Sequence, residues 1–102
     1  AVAGAMATEQ LARYGIDLAF VGTSAVSEDF FLVVPTESKC VFKRKLLEMS
    51  ESAILVADRS KFRKKKLYKA AHLSELDHVI TDYTFTKAEL ERAMPHGGLI
   101  LV

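Results

Sequence analysis

Apolar residues recur at spacings of three and four at the start of the chain. Ala3, Met6, Ala7, Leu11 and Tyr14 fall on one face of a helix predicted over 2–14, and Gly15 supplies its stop. The spacing then changes: Leu18-Ala19-Phe20-Val21 is an unbroken apolar run between Asp17 and Gly22, the pattern of a strand covered on both faces, and it opens into the polar turn Gly22-Thr23-Ser24. From Val26 to Pro35 the run Phe30-Phe31-Leu32-Val33-Val34 predicts extended chain, although Pro35 has no N–H to give to a ladder.

Thr36 is placed to cap a helix running to about Ser50, with Glu37 in the first turn, where the helix dipole favours an anion. Val41, Phe42, Leu46 and Met49 are its expected inward residues. Ala53-Ile54-Leu55-Val56-Ala57 reads as the next buried strand, with Asp58-Arg59-Ser60-Lys61 at its carboxyl end, then a loop containing His72. Val79-Ile80, flanked by Asp77 and Asp82, predicts a shorter strand. Thr86-x-x-Glu89 is a capping box that starts a helix from Lys87 to about Met94, stopped by Pro95 and the Gly97-Gly98 turn, and Leu99 to Val102 closes as a strand.

Helices alternating with continuous apolar strands imply an α/β fold: a mostly parallel sheet flanked by helices, since each parallel return needs a crossover. Ligands in such sheets sit beyond the carboxyl ends of the strands, where the turns 22–24 and 58–61 fall.

Composition narrows the class. With 102 residues, 50% hydrophobic and 26% charged, one globular domain is expected. The lone Cys40 cannot pair within the chain, and there is neither a signal-peptide pattern nor an 18-residue apolar run. These features point to a reducing, cytoplasmic setting without a membrane. The net charge of +1 conceals a basic window: Lys61, Arg63, Lys64, Lys65, Lys66 and Lys69 lie within nine residues, leaving eight basic residues against thirteen acids elsewhere, or −5. That is a local phosphate-seeking patch or a solvated face on an otherwise acidic domain.

Catalytic signatures are sparse. His72, His78 and His96 lie at spacings that match no metal-ligand motif, Ser24 and Ser60 lie outside any nucleophile elbow, and no Walker or Gly-x-Gly-x-x-Gly sequence follows a strand. Lys61 differs from the rest of its window because it follows a buried strand at the binding edge. Lys43 lies one turn inside the helix that flanks that edge.

Four separated motifs then carry a resemblance. Asp17-Leu18-Ala19-Phe20-Val21-Gly22-Thr23-Ser24, Lys43-Arg44, Val56-Ala57-Asp58-Arg59-Ser60-Lys61-Phe62 and Leu73-Ser74-Glu75-Leu76-Asp77-His78-Val79-Ile80-Thr81-Asp82 together resemble the C-terminal effector-sensing domain of DeoR-type bacterial transcriptional regulators, over nearly the whole chain. That domain is similar to ribose-5-phosphate isomerase and glucosamine-6-phosphate deaminase. The resemblance implies a Rossmann-like fold, part of an isomerase/CoA-transferase-like domain that begins within the family's domain. It further implies a phosphorylated sugar as effector, DNA contact only through a helix-turn-helix domain outside residues 1–102, and a homo-oligomer.

The ligand-binding residues so implied are Gly22, Thr23, Ser24, Lys43, Asp58, Ser60 and Lys61, with no catalytic residue, metal or cofactor. Where the isomerases have Ala-Asp-Glu after the glycine this chain has Thr23-Ser24-Ala25, and Phe42 stands where they carry a catalytic glutamate. A phenyl ring cannot shuttle a proton. Lys39 stands where the regulators usually have a glutamate, and Ala25 and Arg63 where they often have glycine. The alternatives are an isomerase-like enzyme, a nucleic-acid binder acting through 61–69, and an oligomerisation module.

Overall fold

The computed structural model describes residues 15–66 and 68–102; the helix expected over 2–14 lies outside them. The elements are β1 (Ile16–Val21), β2 (Ala25–Val26), β3 (Phe31–Val34), α1 (Glu37–Met49), β4 (Ser50–Val56), a 3-10 turn (Arg59–Lys61), β5 (Tyr68–His72), a second 3-10 turn (Leu73–Glu75), β6 (His78–Thr81), α2 (Lys87–Ala93) and β7 (Leu99–Leu101).

A four-stranded parallel sheet of order β1-β4-β6-β7 is the α/β frame the alternation of elements predicts. A second, three-stranded antiparallel sheet of order β2-β3-β5 accompanies it, where one sheet was expected. Its source is the segment from Val26 to Pro35, which folds back on itself. The Ser27 N–H donates to the Phe31 carbonyl at 2.9 Å, the Phe30 N–H to the Ser27 carbonyl at 3.0 Å, and the Phe31 N–H to Ser27 Oγ at 3.1 Å. Phe30 makes the turn at φ 64°, a conformation favouring glycine, while its ring is buried. Pro35 lies just beyond the last ladder residue and so costs no hydrogen bond.

The loop expected around His72 is likewise β5. Lys69, Ala70 and Ala71 carry no strand signal of their own; pairing of Leu32 with Ala71 and Phe31 with His72 makes them a strand.

Ala19, Val21, Ala53, Leu55 and Val79, from neighbouring parallel strands, point into the core with Val26, Leu32, Phe62, Ala70 and Ala71. Among the described residues nothing covers the opposite face, which corrects the expectation of strands covered on both sides. Leu18, Phe20, Val56 and Ile100 are exposed apolar residues there.

α1 explains itself as a helix between two surfaces. Thr36 caps it, its Oγ1 accepting from the Lys39 N–H at 3.3 Å. Cys40 and Arg44, four residues apart, face the second sheet: Cys40 Sγ lies 3.6 Å from the Lys69 carbonyl and Arg44 Nη1 donates to the Ala70 carbonyl at 2.9 Å. Lys39, Phe42, Lys43 and Leu46 form the adjacent stripe and line an open cleft. No residue of α1 is fully buried, and Val41, expected inward, is half exposed because it falls outside both stripes.

Candidate functional site

The cleft lies where the sheet's carboxyl edge meets α1. Its volume is about 460 Å³, and its lining is Phe20 and Val21 at the end of β1, Gly22, Thr23 and Ser24 in the following turn, Val34 at the end of β3, the α1 stripe, and Lys61 from the 3-10 turn after β4. That volume lies within the roughly 300–1,000 Å³ of small-molecule pockets.

Each wall has a local cause. β1 ends at Gly22 because Thr23 turns the chain, its hydroxyl donating to the Ala25 carbonyl at 2.8 Å. Lys43 Nζ donates to the Gly22 carbonyl, tying α1 to that turn. Burial pushes the Lys43 ammonium below the usual lysine range, and the neighbouring charge of Lys39 pushes it the same way. Lys61 is held by the 3-10 turn, whose cap is Asp58: its carboxylate accepts from the Ser60 N–H at 2.8 Å and from the Ser60 hydroxyl. These bonds, above all that from the Ser60 hydroxyl, hold the Asp58 carboxyl below the usual carboxylate range. Asp82 steadies the same turn by accepting from the Arg59 N–H at 2.6 Å.

The structure therefore brings Gly22, Thr23, Ser24, Lys43 and Lys61 to one cleft, whereas Asp58 and Ser60 are outside its lining and shape the turn that presents Lys61. Spacing could have found Lys39, one turn before Lys43 on the same stripe. Phe20 and Val34 had no signal beyond being apolar.

No carboxylate is among the lining residues, and Phe42 is. The chemistry on offer is the holding of an anion with an apolar flank: ammonium groups and the Ser24 hydroxyl at one part, Phe20, Val34, Phe42 and Leu46 at another.

The basic window does not act as one patch. Lys61 enters the cleft, while Arg63 Nη2 lies 3.0 Å from Glu89 Oε2 and Lys69 Nζ 2.7 Å from Asp29 Oδ2. Lys64, Lys65 and Lys66 are left exposed. The Lys69 contact, helped by Ser27, pulls the Asp29 carboxyl down from 3.8 to about 2. Arg63 has φ 59°, a conformation that favours glycine. Among the described residues no group of histidine, cysteine and carboxylate side chains is arranged to hold a metal ion, and no helix is long and apolar enough to cross a membrane. His72 Nδ1 instead accepts from the Ser74 N–H at 3.1 Å, and His96 Nε2 is 2.9 Å from the Leu76 carbonyl.

Comparison with known proteins gives the family of the chain. The chain is 33% identical over 96 residues to an HTH-type transcriptional regulator, GlpR, of Haloferax volcanii, covering 91% of this chain and 38% of that protein. It is 34% identical over 99 residues to the HTH-type transcriptional repressor GlcR of Bacillus subtilis, covering 97% of this chain and 38% of that protein. The chain thus spans under two fifths of the length of these relatives. The model of the DeoR C-terminal sensor domain matches residues 1–83, and with the α/β frame and these relatives the chain belongs to the DeoR C-terminal sensor domain family.

Proposed function

We propose that this domain senses a phosphorylated sugar in the cleft and so modulates DNA binding by a helix-turn-helix domain of the full-length cytoplasmic regulator. The observation that carries this reading is the cleft itself, in which ammonium groups from two separate elements meet the Gly22–Ser24 turn with no carboxylate between them. Charge-assisted hydrogen bonds to a phosphate contribute about 1.5–3 kcal/mol each, enough to anchor a small ligand. The names of the relatives, a transcriptional regulator and a transcriptional repressor, support a regulatory and non-enzymatic role. Phe42 supports it too: sugar-phosphate isomerisation needs a base, and this side chain offers none.

Calorimetry on the full-length protein with a panel of sugar phosphates tests the reading. Lys61→Ala should weaken binding about tenfold or more, and Lys64→Ala, from the same window but outside the cleft, should leave it unchanged. Equal effects of the two changes, or none from either, would remove Lys61 from the site.

A further inference from the structure

The cleft's charge is larger than one phosphate needs. Lys39, Lys43 and Lys61 line it, no acid does, and none of the three is in an ion pair among the described residues. Lys39 and Lys43 are one helical turn apart, the spacing at which like charges destabilise a helix. Lys39 also stands in the first turn of α1, where the dipole already disfavours a cation. Lys43 is partly withdrawn from water, a further cost to its charge. Asp58 lies outside the lining, with one carboxylate oxygen taken by Ser60, and the Lys61 charge acts on it, so of the three lysines it offsets Lys61 and leaves Lys39 and Lys43.

We propose that the cleft takes a sugar bearing two phosphate groups, with Lys39 the residue that selects the second phosphate. The inference rests on the sugar-phosphate reading above and makes it narrower. A phosphate monoester carries about −1.5 to −2 at neutral pH, so one such group at Lys43, Lys61 and the 22–24 turn leaves Lys39 uncompensated. A second phosphate, reaching one turn towards the start of α1, meets the Lys39 ammonium and the positive end of the helix together. Between the two, Phe20, Val34, Phe42 and Leu46 offer an apolar surface on which the C–H face of the sugar packs.

The test is calorimetry on the full-length protein with sets of three ligands per sugar: a bisphosphate and its two monophosphates, across ketohexoses and ketopentoses. For the sugar that binds, the bisphosphate should be tighter than either monophosphate by about tenfold or more. Lys39→Gln should abolish that preference, weakening the bisphosphate more than either monophosphate, and Lys39→Arg should keep it. The ligand-free melting temperature of Lys39→Gln should equal or exceed that of wild type, because the repulsion with Lys43 is gone. A monophosphate that binds as tightly as its bisphosphate overturns the inference, as does a preference that survives Lys39→Gln, and either result leaves the sugar-phosphate reading standing. If no sugar phosphate of either kind binds, the sugar-phosphate reading fails and this inference with it.

Discussion

Glu89 joins segments that are far apart in the chain. Its Oε1 accepts from the Thr86 N–H at 2.9 Å, and its Oε2 accepts from the Tyr83 hydroxyl at 2.9 Å and from Arg63 at 3.0 Å. The Tyr83 ring stacks on Phe62 with centroids 4.1 Å apart, so the same carboxylate steadies the aromatic cluster beneath α2. Glu89→Ala should cost about 2–3 kcal/mol in urea unfolding, through the lost cap and the stranded Tyr83 hydroxyl. A loss below about 0.5 kcal/mol, the size of an ordinary surface substitution, would show that water replaces these bonds. The Thr86 N–H, followed by Tyr83 and Arg63, holds the Glu89 carboxyl below the usual glutamate range, despite partial burial. Its contribution is therefore complete above the ordinary glutamate pKa and is lost as pH falls through the lowered value, so the variant should lose less stability on acidification than wild type. At this scale the Thr86-x-x-Glu89 box is legible in the sequence because its partners are three residues apart. Arg63, twenty-six residues earlier, is not, since only the completed fold brings it there.

Elements differ in the same way. β1, β4, β6, β7, α1 and α2 are legible as local runs, the helices with their own caps. β5 is not, because its strand character comes from β3, and the hairpin of β2 and β3 hides behind a proline that lies just outside it. In α1 the error is one of rotation: sequence marks one inward face, but the helix presents one stripe to the second sheet and its neighbour to the cleft. The link from α2 to β7 is legible as Gly97-Gly98, and here the two glycines separate. Both have positive φ, 85° and 93°, but a Cβ on Gly97 meets open space whereas one on Gly98 runs into the Asp77 carbonyl. Gly97→Ala should cost about 1–2 kcal/mol from backbone conformation alone. Gly98→Ala should cost clearly more, because β7 must shift to relieve the clash; equal midpoints in parallel urea titrations would contradict this.

For the molecule as a whole, the open sheet face is the largest departure from the pattern of buried runs. Strand register puts Phe20 beside Ile54, and Val56 beside Ile80 and Ile100, on one side of the parallel sheet. Phe20 is 64% exposed, Val56 48% and Ile100 43%. Among the described residues nothing covers this face, and we propose that a second copy of the chain does, since apolar surface of this kind is usually removed from water by a partner. Sedimentation velocity should show concentration-dependent association, and the double change Val56→Lys with Ile100→Lys should leave a monomer. A monomer for wild type at all accessible concentrations would reverse the inference. The cleft is legible at this scale only in part. The rule of strand ends locates its turns, whereas the contribution of Val34 depends on a second sheet that nothing local announces.

The chain passes repeatedly between its two sheets: β1 belongs to the parallel one, β2 and β3 to the antiparallel one, β4 to the first again, β5 to the second, and β6 and β7 to the first. Neither sheet is therefore a continuous stretch of sequence that could be cut out and refolded. A break between Phe62 and Tyr68 would separate β5 from the strand it completes and β6 from its parallel neighbour at one stroke. The two layers are interlocked by the path of the backbone, so they gain and lose their structure together, as a single cooperative unit.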